Sequence, residues 1–450
     1  MDHSPKGHLG TATDHSNHQF LPNLPVKSAF SYLCPSMEDS SITKSNLLQW
    51  AATHDVCCIL DSNNYKGPYT QYDCLIAVGV TKELAAPAGN AFALLHSFYE
   101  DHKDWMFGLL SYELKNEVET LNAKHIDQLD FPDLYFFIPE YLIAFEDRSI
   151  VFLKGDASVL SEIKQFSSRQ EVKKKLSLQN RIDRNTYIQT VENLRNHIRR
   201  GDIYEINYCQ EFFSAHAAID PISVYKDLNE ISPTPFAGFF KIHDKYILSA
   251  TPERFLCKRG NRLISQPIKG TAKRSKDIIE DEAIKIALRS STKEQAENVM
   301  IVDLVRNDLT KSAVPGTVKV DELFGIYTFP QVHQMISTIS CELSPTVHFI
   351  DAIKNTFPMG SMTGAPKIKA MQLIDTYEQA KRGAFSGSFG CINPTGDFDF
   401  NVIIRSILYN ATNRYLSFQV GSAITYASNA EDEYEECLLK ASAILSVLKD

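Results

Sequence analysis

Arg262-Leu263-Ile264-Ser265-Gln266-Pro267-Ile268-Lys269-Gly270-Thr271 is the stretch from which the rest of the chain is read. A run of strand character meets a proline, a lone lysine, a glycine and a threonine. Pro267 fixes φ and Gly270 tolerates backbone shapes closed to other residues, so Lys269 is predicted to sit in a locally special turn. A lysine amine is a nucleophile only when deprotonated, which needs desolvation or a neighbouring cation; on a plain surface turn it is inert. Upstream, Tyr246–Cys257 and Arg262–Ile268 read as a hairpin around Lys258-Arg259-Gly260-Asn261. Downstream, Phe398–Tyr409 and Tyr415–Thr425 read as a second hairpin, turning at Asn410-Ala411-Thr412-Asn413. Helical spacing marks Tyr187–Ile198, stopped by Gly201; most of Lys276–Asn307; a helix finishing over Ile374–Lys381 and closed by Gly383; and a last helix over about 430–448. Hairpins mixed irregularly with helices predict an α+β fold: large, mostly antiparallel sheets covered by helices.

The chain has 450 residues, of which 44% are hydrophobic, enough for a sizeable core. A net charge of −9 argues against nucleic acid as a partner. No apolar run reaches the ~18 residues that cross a membrane, and Met1–His18 lacks the apolar core of a signal peptide, so no membrane partner is expected. Nine cysteines, with no CxxC pair, read as free thiols of a reducing cytoplasm. Residues 1–25, with His3, His8, His15 and His18, are expected to be a disordered tail. Residues 26–155 read as mixed α/β, with strands at Val56–Ser62, Leu75–Val80, Phe107–Tyr112 and Tyr141–Phe145 and a helix over Ala91–Tyr99. They show no catalytic constellation. A polar stretch containing Glu171-Val172-Lys173-Lys174-Lys175 suggests a linker over 156–183, leaving 184–450 as the second part.

Four further patterns carry candidate chemistry. Glu294 and Glu297 are spaced i,i+3 on one helix, as are Glu433 and Glu436 on the last, with Lys440 one turn on. Facing each other, the pairs would make an all-oxygen site suited to Mg²⁺; apart, they are ordinary solvated helix faces. Gly360-Ser361-Met362-Thr363-Gly364-Ala365-Pro366-Lys367 precedes a helix, and its small residues and hydroxyls suit either an anion cradle or a capped turn. Arg405 falls within an apolar strand and needs a partner, either a substrate carboxylate or a buried aspartate. Glu253, in Thr251-Pro252-Glu253-Arg254-Phe255, is a half-buried carboxylate on the hairpin that carries Lys269, a candidate acid/base partner for it or a member of a salt bridge.

Together these stretches resemble the chorismate-utilising enzymes. The match runs in order through Gly201-Asp202-Ile203-Tyr204, Thr251–Phe255, Pro267–Thr271, Glu297–Asp308, Gly360–Lys367, Ile404-Arg405 and Glu433-Tyr434-Glu435-Glu436. It covers roughly residues 184–450, with a weaker match at Leu60-Asp61-Ser62 and Ser111-Tyr112-Glu113. The resemblance implies an α/β/β/α sandwich. It makes 184–450 the chorismate-binding catalytic domain and 26–155 a region like that of anthranilate synthase component I. Within the family, anthranilate synthases carry alanine where Lys269 stands, whereas the aminodeoxychorismate branch carries lysine. Isochorismate and salicylate synthases use lysine at the place of Glu205, which argues against them.

The implied chemistry is a covalent substitution. Mg²⁺, held by Glu297 and Glu436 with Glu294 and Glu433 near, would grip the ring carboxylate of chorismate. Arg405, Gly421 and Lys440 would hold the enolpyruvyl carboxylate, with Ser361, Thr363, Gly364 and Thr271 lining the site. Lys269 would attack C2 while Glu253 protonates the departing C4 hydroxyl, and ammonia would then take C4. The resemblance also implies a separate glutaminase subunit as ammonia donor. The alternatives are an anthranilate synthase component I and a catalytically silent homologue. The chain departs from the family pattern at Glu205, usually glutamine, at Gln334, usually histidine in anthranilate synthases, at Phe385, commonly tyrosine, and at Gly421-Ser422-Ala423, usually glycine-rich.

Overall fold

Strand alternation sorts the side chains into layers. In Val56–Asp61, Val56 and Cys58 face one apolar cluster while Cys57 and Ile59 face another. The first cluster lies between two sheets, joining Leu75, Phe240 and Ile247 of one to Phe107, Phe136, Leu256 and Phe400 of the other. The second lies under helices on the outer face of the first sheet, where Trp50, Tyr187, Leu194, Cys437 and Ile444 pack. On the second sheet, the Thr292–Thr310 helix covers Val332–Glu342 and Ile268–Lys273. The computed structural model describes residues 37–38, 42–119, 121, 125, 127–166 and 176–449, and over these it is the expected α/β/β/α sandwich. The sheets have twelve and ten strands, and every described pairing is antiparallel.

Both sheets draw strands from either side of residues 156–183. Val56–Asp61 pairs with Ala237–Ile242, and Met106–Leu110 with Ser388–Ile392. The chain from Ser36 onward forms one compact unit, so a boundary at 156–183 does not separate two bodies. The histidine-bearing tail and the run Glu171–Lys175 lie outside the described residues. The eight described cysteines are free and buried. No described helix is long and apolar enough to cross a membrane.

Two predicted strands turn out to be broken. Tyr246–Cys257 is two strands, Lys245–Ser249 in the first sheet and Arg254–Arg259 in the second, joined by Ala250–Glu253. Phe398–Tyr409 is likewise Phe398–Asn401 in the second sheet and Ser406–Asn410 in the first, joined by Val402–Arg405. The two crossovers lie side by side: Ala250 N–H donates to Arg405 C=O at 3.2 Å and Val402 N–H to Glu253 C=O at 3.0 Å. Pro252 cannot donate to a ladder, and Arg405 takes φ +49, outside the strand region. The predicted turns at Lys258–Asn261 and Asn410–Asn413 join Arg254–Arg259 to Arg262–Gln266 and Ser406–Asn410 to Tyr415–Ile424. The helix expected to reach Lys381 is Lys367–Tyr377 and stops four residues earlier.

Candidate active site

The crossovers put Glu253 and Arg405 at one edge of a cavity of about 1180 Å³. Lys269 enters it from Ile268–Lys273, an edge strand that continues the line of Arg262–Gln266 beside Val332–Glu342. The break at Pro267 and the φ of +92 at Gly270 turn the lysine inward, as its flanking residues predicted. The Thr292–Thr310 helix, capped by Ser291, brings Glu294 and Glu297. The Ala430–Lys449 helix brings Glu433, Glu436 and Lys440. Eleven of the thirteen predicted site residues line this cavity: Lys269, Glu253, Arg405, Gly421, Lys440, Ser361, Thr271, Glu294, Glu297, Glu433 and Glu436.

The other two do not. Thr363 is fully buried, and its hydroxyl donates back to the carbonyls of Met359 and Gly360. Gly364, at φ +153, lies so close to Glu205 C=O that a Cβ would meet it at 2.2 Å. Its glycine serves the close approach to the Glu205–Ser214 strand rather than a ligand.

The polar groups divide by whether their partners are complete. Glu253 is 5% exposed, and burial pushes its carboxyl up to about 7, with the Ser361 hydroxyl, Lys269, Arg405 and Lys440 pulling the other way. The Arg405 guanidinium has no hydrogen bond or ion pair among the described residues. Burial lowers its pKa, and Glu253 alone offsets this. Lys440 Nζ donates to Gly421 C=O at 2.9 Å and pairs with Glu436 at 2.7 Å.

The four glutamates repel one another. Burial lifts Glu297 to about 7 and raises Glu294 and Glu433, while Lys440 holds Glu436 below the ordinary range. Lys293 stands among them, its ammonium stabilised by all four. Their ligand atoms do not gather as a closed set: the described groups with three ligand atoms within 4.8 Å are elsewhere, at His96, Glu100 and His348 and at Asp73, Glu146 and Asp147.

Lys269 departs from expectation. It is buried, which favours the neutral amine, but the groups that act on it most strongly are carboxylates. Its Nζ donates to the Glu205 carboxylate, and Glu205, Glu297 and Glu253 together outweigh burial and raise its pKa. Sequence reading treated Glu205 only as a departure from the family pattern and overlooked Asn207, whose amide donates to Ser361 C=O at 3.1 Å. The signal was present: Glu205, Asn207 and Cys209 alternate along one strand and share a face. Gln334 and Phe385 also line the cavity.

Comparison with known proteins agrees with this geometry. The chorismate binding enzyme family matches residues 56–446. Aminodeoxychorismate synthase component 1 of Escherichia coli is 34% identical over 348 residues, 76% of each chain. The protein of that name from Bacillus subtilis is 31% identical, over 82% of this chain and 84% of its own. Anthranilate synthase component I of Streptococcus pneumoniae shares the fold, with a TM-score of 0.73 at 24% identity, over 86% of this chain and 96% of its own. With the cavity in the place where this family's motifs converge, the chain belongs to the chorismate binding enzymes.

Proposed function

We propose that the chain converts chorismate and ammonia into 4-amino-4-deoxychorismate. The observation that carries this reading is Lys269 inside the cavity beside Glu253, where alanine would make the anthranilate branch. The designation of the similar proteins as aminodeoxychorismate synthase supports it. Their designation as component 1 also supports a second, ammonia-supplying glutaminase subunit.

The unpaired Arg405 guanidinium is suited to the enolpyruvyl carboxylate by its bidentate fork. Lys440, already fixed against Gly421, would extend that grip. Lys269 would attack C2, and Glu253, whose proton is retained to about pH 7, would protonate the departing C4 hydroxyl. Ammonia would then take C4 and expel the lysine. Ser361 and Thr271 line the floor. An all-oxygen donor set with raised, mutually repelling carboxyls fits Mg²⁺, which needs only one or two carboxylates plus substrate. Glu297 and Glu436 would hold it, with Glu294 and Glu433 alongside. When bound, the ion would neutralise the ring carboxylate as a Lewis acid.

The test is product identification from chorismate, Mg²⁺ and an ammonium salt. The expected product is 4-amino-4-deoxychorismate. Anthranilate with pyruvate would instead mark an anthranilate synthase, and no turnover a silent homologue.

A further inference from the structure

We propose that Glu205 is the proton-accepting partner of Lys269: it takes the ammonium proton as the amine attacks and returns it when the lysine leaves. This rests on the covalent-lysine reading above. The two residues come from different sheets, Glu205 from Glu205–Ser214 and Lys269 from Ile268–Lys273, and of the two Lys269 lines the cavity. Lys269 Nζ donates to Glu205 Oε1, and among the described residues no other carboxylate lies within 4.0 Å of it. Both side chains are buried, at 8% and 6% exposed, so solvent is a poor sink for the proton.

The other charged groups facing Lys269 have other duties. Glu253, on the Ala250–Glu253 crossover, must keep its proton for the leaving hydroxyl. Glu294 and Glu297 of the Thr292–Thr310 helix and Glu436 of the last helix interact with Lys269 through space and belong to the acidic cluster. Glu205 alone is in direct contact and otherwise uncommitted.

The protons balance. The Lys269 ammonium passes one proton to Glu205, leaving a neutral amine and a carboxylic acid. The amine lone pair forms the N–C2 bond while the ring double bonds shift towards C4 and the C4–O bond breaks. The hydroxyl takes the Glu253 proton and leaves as water, and the lysine nitrogen is now a secondary ammonium. The lone pair of ammonia forms the N–C4 bond, the double bonds shift back, and the N–C2 pair returns to lysine, which recovers its proton from Glu205. The new C4 ammonium gives one proton to Glu253. Chorismate and ammonia become aminodeoxychorismate and water, and the protein ends as it began.

The experiment withholds ammonia and follows the mass adduct on Lys269, with chorismate and Mg²⁺ present, across about pH 5.5 to 9 in the native protein, E205Q and E205D. Glutamine cannot take the proton, so Lys269 of E205Q must lose it to solvent. The ratio of E205Q to native rate is expected to rise by up to about tenfold per pH unit, with the largest deficit at the acid end. Taking the ratio cancels the Glu253 titration common to both. E205D keeps a carboxylate and is expected to keep the native pH shape at a lower rate. A deficit of the same factor at every pH would make Glu205 a spacer and overturn the proposal, as would native rates in E205Q. If E205Q does not fold, an acid limb new to E205D overturns it. Absence of adduct in the native protein would instead bring down the covalent-lysine reading itself, and this proposal with it.

Discussion

Two sets of cations, Lys269 with Arg405 and Lys367 with Arg254, each one buried and one half-buried, differ in one respect. In the cavity wall, Lys269 has a single partner, Glu205, and Arg405 has none among the described residues. In the seam behind it, Lys367 donates to Asp308 and to the carbonyls of Thr356 and Pro358. Arg254 forks onto Asp399 at 2.9 and 3.0 Å and also reaches Gln266. The direction of the pKa shift does not separate the sets, since each holds one raised and one lowered group: Lys269 and Arg405 in the first, Arg254 and Lys367 in the second. What separates them is spare hydrogen-bonding capacity. A buried charge with its partners complete holds the fold, and one without them is kept for a ligand.

The sharpest break of this comparison sets the two lysines against each other. Lys269→Ala should slow turnover by several orders of magnitude, roughly 3–6 kcal/mol of transition-state free energy, and, because it leaves the buried Glu205 carboxylate without its partner, should cost stability as well. Whatever slow product remains should shift towards 2-amino substitution. Lys367→Ala should cost stability alone. It leaves the buried Asp308 carboxylate with only the more exposed Lys311, costing up to about 3–5 kcal/mol of stability, while the folded fraction keeps its activity. Steady-state assays and denaturant titrations on both variants check this. A comparable loss of activity in folded Lys367→Ala would erase the distinction.

The arginines repeat the contrast with a smaller effect. Arg405→Ala should weaken chorismate binding, by about 2–5 kcal/mol, without destabilising the fold. Arg254→Ala should instead destabilise, because it leaves Asp399 with only Arg259. Chorismate titrations and thermal melts would tell them apart.

These pairs also show where the sequence was legible. Motif order carried the family, the sandwich and most of the cavity lining, because each motif is a local signal. The crossovers at 250–253 and 402–405 were not legible. An apolar, alternating run reads the same whether its strand stays in one sheet or passes to the other, since both sheets face one core. Arg405 was therefore placed in a strand, and its partner could not be decided. The resemblance places Thr363 and Gly364 at the ligand, whereas tertiary contacts turn the first onto its own loop and press the second against Glu205. The Glu205–Lys269 pair joins residues 64 apart in sequence, a distance no motif spans.

Acidity gives a third contrast, between the proposed metal ligands and the proposed proton donor. Glu297→Gln and Glu436→Gln should each strongly reduce Mg²⁺-dependent turnover, and full activity in EDTA would refute the metal reading. Because Glu297 holds its proton to about 7, Mg²⁺ uptake near neutral pH should release protons, measurable in weak buffer by calorimetry. Glu253 must be protonated to act, so kcat/KM should fall about tenfold per pH unit above about 7. The stability linkage has the same sign. Both folded-state values lie above the ordinary 4.5, so the stability these protons contribute is complete below pH 4.5 and is lost as pH rises through about 7.

The smallest effect sits at Gln334. Its side chain lines the cavity and is 1% exposed, with its amide nitrogen 3.5 Å from the Thr271 hydroxyl and its Oε1 without a hydrogen-bond partner. An amide neither gives up nor takes a proton near neutral pH, so this position cannot serve as the base that eliminates pyruvate. Histidine there could. Without a lyase the native protein should therefore accumulate the 4-amino compound and release no stoichiometric pyruvate. Gln334→His puts a titratable group at the same place but leaves Lys269, the proposed nucleophile, unchanged. It should change the overall rate little and add at most a slow pyruvate release that rises as the imidazole loses its proton. A coupled lactate dehydrogenase assay reads both proteins. Pyruvate from the native protein at the rate of chorismate loss would show that some other group in the cavity acts as that base.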